Sequence, residues 1–158
     1  MNQTKNRTNN KTIRTKRYLV DTSAIINKKV SKLARKGLSG TIFIPNAVIA
    51  ELENLANKGQ DVGFNGLEEI AKLHHFRRLK MKFIGPRPSE HQIRYAKSGE
   101  IDALIRSLAY KIRATLITSD LVQAKSAQAY NIPVQFMKVH YQKKKKFSLF
   151  KKLKFRIK

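Results

Sequence analysis

"RYLVDTSAII", residues 17–26, decides how the chain is read. Tyr18, Leu19 and Val20 form an apolar run that stops at Asp21. The run is too short for a helix and reads as a buried strand. Only ten Asp and Glu oppose 34 Lys and Arg in the 158 residues, so an acid ending an apolar strand calls for a reason.

Working outward, Thr22 or Ser23 can cap a helix through "AIINKKVSKLARK" (24–36) that Gly37 stops. "TIFIP" (41–45) reads as a second strand, and Pro45 and Asn46 open a helix over 46–58. Val48, Ile49, Leu52, Leu55 and Ala56 recur there at helical spacing, and Gly59 ends it. A third helix is expected over 66–80 and a third strand over 81–85. "PRPSE" (86–90) is a turn and "HQIRYAK" (91–97) a short helix. Ser98 caps "GEIDALIRSLAYKI" (99–112), with Ile101, Leu104, Ile105 and Leu108 in one stripe. "ATLITSD" (114–120) is a fourth strand that ends on another aspartate, Asp120. A helix over 121–130 and a strand over 132–136 complete the pattern. Strands alternating with helices predict an α/β fold, a mostly parallel sheet with helices on both faces.

The net charge is +24 and is unevenly placed. Residues 1–17 carry six Lys or Arg and 138–158 carry ten, with no acid in either stretch. The reading is a disordered basic arm (1–16), one domain (17–137) and a basic tail (138–158). Such arms suit a polyanion, nucleic acid before an anionic membrane, although charge runs are also often merely solvated. Cysteine is absent, so neither a disulfide framework nor a thiolate metal site is available. No apolar run approaches the roughly 20 residues of a membrane span, and no signal-type segment follows the polar N-terminus. The expected location is cytoplasmic.

In an open parallel sheet, ligands bind at the carboxyl ends of the strands. Asp21 and Asp120 fall at two such ends. Glu51 lies near the start of the helix after the second strand, with Glu53 two residues on as its competitor. Glu100 and Asp102 open the helix before the fourth strand. Each acid alone reads equally well as a helix cap or as a partner of the helix dipole. Together they would repel one another, and a hard divalent cation such as Mg²⁺ or Mn²⁺ removes that conflict. Other chemistries fit poorly. Neither GxGxxG nor GxxxxGK[ST] occurs. His74 and His75 point to different helix faces, His91 and His140 are isolated, and Ser23 lacks a nucleophile elbow.

Four stretches, "YLVDTSAII" (18–26), "IPNAVIAELEN" (44–54), "SGEIDALIRSLA" (98–109) and "ATLITSD" (114–120), resemble in order the acidic motifs of PIN-domain ribonucleases. The likeness covers about residues 17–136 and is nearest to the PIN module of archaeal PIN–ATPase proteins. The resemblance implies a three-layer α/β/α sandwich and Mg²⁺- or Mn²⁺-dependent endoribonuclease hydrolysis of single-stranded RNA. Carried over by motif, Asp21, Glu51, Asp102 and Asp120 would be catalytic and metal-binding, with Glu100 an accessory metal ligand. The family pattern prefers Glu51 to Glu53. Thr118 or Ser119 would orient the last acid, and Thr22 or Ser23 would do the same beside Asp21. The resemblance implies RNA as substrate, including ribosomal RNA, and a homodimer as is common among PIN modules; a separate ATPase would be the partner on the PIN–ATPase likeness, and an antitoxin the partner on the toxin-type alternative. In PIN–ATPase proteins further domains follow; here the chain reads as a lone nuclease module. Phe147, Phe150 and Phe155 in the tail are expected to stack on bases. The alternatives are a non-catalytic RNA-binding or ribosome-assembly factor, a toxin-type ribonuclease, and a membrane-surface role for the tail.

Overall fold

A computed structural model describes residues 15–95 and 99–139. The arm, the tail with its phenylalanines, and Ser98 as a cap therefore fall largely or wholly outside the described residues. Five strands, β1 (Arg17–Val20), β2 (Gly40–Pro45), β3 (Leu79–Ile84), β4 (Thr115–Thr118) and β5 (Val134–Phe136), form one sheet in the order β3-β2-β1-β4-β5. Every pairing is parallel. The helices are α1 (Thr22–Ile26), α2 (Lys29–Arg35), α3 (Asn46–Asn57), α4 (Asp61–Leu73), α5 (Glu90–Tyr95), α6 (Glu100–Lys111) and α7 (Leu121–Ala129). This is the α/β sandwich expected from the sequence.

β1 is central, and Leu19 and Val20 are fully buried. Side chains of this kind contribute about 1.5–3 kcal/mol each when fully buried. Ile42, Ile44, Leu116 and Ile117 from the flanking strands complete the core layer. β3 is an edge strand, and its exposed Lys80 and Lys82 alternate with half-buried Leu79 and Met81. Lysines on an edge strand discourage pairing with another chain.

The single helix expected over 24–36 is broken. Asn27 donates its side-chain amide to the Ser23 carbonyl at 2.7 Å, and Lys28 adopts a left-handed conformation (φ 52°). α2 then starts against α4, where the buried Glu69 carboxylate accepts the Ser31 N–H at 3.1 Å. α4 begins at Asp61 rather than at Gly66 and ends at Leu73 rather than running to Lys80. Gly63 and Gly66 lie inside it because they allow close approach to α3. A Cβ on Gly63 would stand 2.3 Å from the Ala56 nitrogen.

The sheet order places a topological switch between β1 and β4. The chain leaves β1 toward β2 and β3, then returns to the other side of β1 as β4. A crevice at the carboxyl ends of the strands opens at such a point.

Candidate metal centre

Asp21 follows β1 directly and is buried at the switch point. Its backbone N–H donates to the Ile117 carbonyl of β4 at 3.0 Å, so the two strand ends are tied together. Its Oδ2 accepts from the Ser23 hydroxyl at 2.6 Å and from the Thr118 hydroxyl at 2.7 Å. The Ser23 oxygen also accepts the Ser119 N–H at 2.9 Å, and the Thr118 oxygen accepts the Asp120 N–H at 3.0 Å. Two hydroxyls thus orient Asp21 and hold the β4–α7 turn against it.

The sequence left open which hydroxyl serves which acid, and the structure assigns them. Ser23 serves Asp21, while Thr22 donates to Glu51 Oε2. Thr118 does not orient the Asp120 carboxylate. It points at Asp21 and touches Asp120 only through the backbone. The Ser119 hydroxyl is buried and has no hydrogen-bond partner among the described residues.

Glu51 sits in the second turn of α3, half-buried, and accepts from the Thr22 hydroxyl. Glu53 does not join it, because it is paired with Arg87. Asp102 stands in the first turn of α6, where the Gln123 amide of α7 donates to its carbonyl at 3.2 Å and to its Oδ1 at 3.4 Å. Asp120 caps α7, its Oδ1 accepting from Val122 N at 2.7 Å and Gln123 N at 3.0 Å. The capping role weighed from the sequence is therefore present. It uses only one of the two oxygens. Glu100 is exposed at the start of α6 and lines a separate cleft with Pro86, Arg87 and Gln92.

Two residues escaped the sequence reading. Gln123 is fully buried and links α7 to α6, and its Oε1 accepts from Arg106. Arg106 lies four residues after Asp102, a spacing that could have flagged it. Nothing in "LVQAK" marked Gln123.

The electrostatics couple four acids. Burial raises the Glu51 pKa above its ordinary value of 4.5, against the pull of the Thr22 hydrogen bond, and the charges of Asp21 and Asp102 raise it further. Burial also raises Asp102 above its ordinary 3.8, and the charges of Asp21 and Asp120 add to this while Arg106 opposes it. The ion pairs among the described residues are Lys72–Glu68, Arg87–Glu53 and Arg94–Glu90, so none of these four acids is in one. Each of the four has one oxygen held by the protein and a second with no hydrogen bond among the described residues. As the side chains stand, no three His, Cys, Asp or Glu among the described residues could hold an ion. The chemistry of the donor set nevertheless fits a hard dication. Ligation would require the carboxylates to draw closer together than they stand.

A raised carboxylate pKa penalises folding once the pH exceeds the ordinary value. Metal-free stability should therefore fall as pH rises from the ordinary values of 4.5 and 3.8 through the raised ones. Glu51→Gln should melt higher than wild type at pH 7 without divalent ions, and the gap should close near pH 4. Thermal melts in EDTA at the two pH values check this. A lower melting temperature for Glu51→Gln at pH 7 would contradict the electrostatic account.

The fold and these acids can be compared with known proteins. Among the described residues, no helix is long and apolar enough to cross a membrane. The chain is 39% identical over 130 residues to an uncharacterised KH and PIN-domain containing protein of Methanocaldococcus jannaschii. That match takes in 77% of this chain and 20% of the relative, so the chain spans about a fifth of the relative's length. It also superimposes on a solved domain of a functionally unknown protein from Methanocaldococcus jannaschii, with a TM-score of 0.76 and 38% identity over 80% of this chain and 94% of that one. The PIN domain model matches residues 18–129, which run from the strand before Asp21 to the end of the helix that Asp120 caps, and by that match the chain belongs to the PIN domain family.

Proposed function

We propose that this chain is a Mg²⁺- or Mn²⁺-dependent endoribonuclease that hydrolyses phosphodiester bonds of single-stranded RNA. One observation carries the reading. Asp21, Glu51, Asp102 and Asp120 come from four separate parts of the chain and are linked electrostatically, Glu51 to Asp21 and Asp102, and Asp102 to Asp21 and Asp120; among the described residues none has an ion-pair partner, and each has one anchored and one unbonded oxygen. Nuclease activity is general in the PIN family, and divalent metals are typical of it. A divalent ion bound there would lower the pKa of water and offset the charge of a phosphate.

The chain's own residues would do the rest. Ser23 and Thr118 fix Asp21, Thr22 fixes Glu51, and Gln123 fixes Asp102. Arg106 stands beside Asp102 with a charge suited to a phosphate oxygen. The net charge of +24 favours an RNA substrate. The archaeal relative is described as containing a KH domain as well as a PIN domain, and KH modules clamp single-stranded backbone.

The test is the purified full chain with unstructured RNA. Cleavage is expected with Mn²⁺ and not with EDTA, leaving a 5′-phosphate and a free 3′-hydroxyl. Tight binding without cleavage in either Mg²⁺ or Mn²⁺ would overturn hydrolysis and leave an RNA-binding module.

A further inference from the structure

α6 starts at the acids and ends at a basic cleft, and the side chains between them form a usable path. Asp102, Arg106 and Tyr110 are four residues apart, so they share one face of the helix. Twelve residues of helix span about 18 Å. Along this face lies a groove of about 270 Å³ lined by Arg106, Ser107, Tyr110, Tyr130 and Ile132. The two tyrosines are 66% and 67% exposed, so their rings are open to a ligand.

Beyond Tyr110 the helix runs into a cleft of about 760 Å³ at the amino ends of β1 and β4. Lys16, Arg17, Lys111 and Arg113 line it, and no acid among the described residues does. A second cleft of about 360 Å³ shares Thr15 with it and extends the cationic strip to Arg77 and Arg78. None of these six residues takes part in an ion pair among the described residues. The strip is built at some cost to the fold. Arg113 holds a left-handed backbone (φ 50°) just after α6, at the position where helices usually place glycine. Gly40 lets the strands close beneath the strip, since a Cβ there would stand 2.4 Å from the Lys16 carbonyl.

We propose that single-stranded RNA runs from the acids along α6, with bases on Tyr110 and Tyr130 and phosphates on the basic cleft at the opposite end of the sheet. Exposed aromatics followed by unopposed cations are the parts that a sequence-tolerant single-strand site needs. The six cations of the strip belong to a chain of net charge +24, which favours a polyanion on it. Only the direction of the path rests on the ribonuclease reading; the binding surface does not.

The test uses the full chain carrying Tyr110→Ala, Lys111→Gln and Arg113→Gly together, with Arg113→Gly alone as the fold control. Binding of a labelled 20-nucleotide single strand is measured by anisotropy in EDTA, so cleavage plays no part. The triple variant should bind about tenfold or more weakly at 0.1 M salt, and its salt slope should fall by roughly 0.7 for each phosphate that is no longer neutralised. Arg113→Gly alone should melt at or above the wild-type temperature and still lose affinity. In Mn²⁺, the triple variant should cut a 20-nucleotide strand less well than wild type. Wild-type affinity and slope in the triple variant would overturn the proposal. So would loss of binding to anionic vesicles with RNA binding intact, which would make the strip a lipid surface. A wild-type chain that binds RNA but never cuts it would remove the ribonuclease reading and leave this surface standing.

Discussion

Asp21→Asn should abolish Mn²⁺-dependent RNA cleavage, by about 100-fold or more, in a protein that folds as well as wild type. Loss of a partner that merely orients a metal ligand typically costs 10–100-fold, so loss of a central ligand should cost at least that. Asp21 is the one acid of the four that is buried, clamped by two hydroxyls and tied through its backbone to β4. Asparagine keeps the shape. The Ser23 and Thr118 hydroxyls can turn to accept from an amide as readily as they donate to a carboxylate. Removing the charge also relieves Glu51 and Asp102, whose pKa values Asp21 helps to raise.

In EDTA, Asp21→Asn should therefore melt no lower than wild type. A separate readout comes from metal linkage. An ion present at 100 times its dissociation constant stabilises the folded state by about 2.7 kcal/mol. Mn²⁺ should raise the melting temperature of wild type by several degrees and leave that of Asp21→Asn nearly unchanged. Full Mn²⁺-dependent activity in the variant would end the proposal. So would a wild-type protein whose melting temperature ignores Mn²⁺.

What was legible in the sequence follows the range of the interactions involved. β1, β2 and β4 showed themselves because central strands bury both faces and become unbroken apolar runs. Asp21 and Asp120 were conspicuous because each ends such a run. The choice between Glu51 and Glu53 was not legible by periodicity. What separates the two is distant in sequence, since Arg87 pairs with Glu53 from 34 residues away. The break between α1 and α2 was equally hidden, since Glu69, which receives the Ser31 N–H at the start of α2, is 38 residues distant. Gln123 orients Asp102 from another helix, and a lone glutamine in a helix carries no local mark. The hydroxyls at Thr22, Ser23 and Thr118 were picked out, but their targets depend on which strand ends meet across the switch point.

The glycines of α4 give the largest expected effect on stability; the sequence reading starts this helix at Gly66, and the structure starts it at Asp61. In a sequence, "DVGFNGLEE" (61–69) looks broken, because each glycine disfavours a helix by about 1 kcal/mol relative to alanine. On that count alone Gly63→Ala should stabilise the protein. The packing reverses the sign. A Cβ at Gly63 would stand 2.3 Å from the Ala56 nitrogen, 2.6 Å from the Leu52 carbonyl oxygen and 2.9 Å from the Ala56 Cα. All three are backbone atoms of α3 and cannot swing aside, so the helices must separate. Overpacking of this kind costs about 1–3 kcal/mol, and a backbone clash belongs at the upper end. After the helix-propensity gain, Gly63→Ala should lose roughly 2 kcal/mol and Gly63→Val more. For a domain of this size that lowers the melting temperature by about 5–8 °C. Gly66→Ala should cost less, because its Cβ would meet the end of the Leu52 side chain, Cδ2 at 2.4 Å, rather than backbone. The displacement also reaches the acids. Leu52 follows Glu51 directly, so pushing α3 outward moves Glu51 away from Asp21 and Asp102, and the folded fraction of Gly63→Ala should cleave RNA more slowly per molecule. Melting curves for the two alanine variants, paired with cleavage rates corrected for folded fraction, check both halves. A Gly63→Ala protein as stable as wild type would mean that α3 and α4 do not meet at this contact. A destabilised one with normal activity per folded molecule would mean that Glu51 does not depend on it.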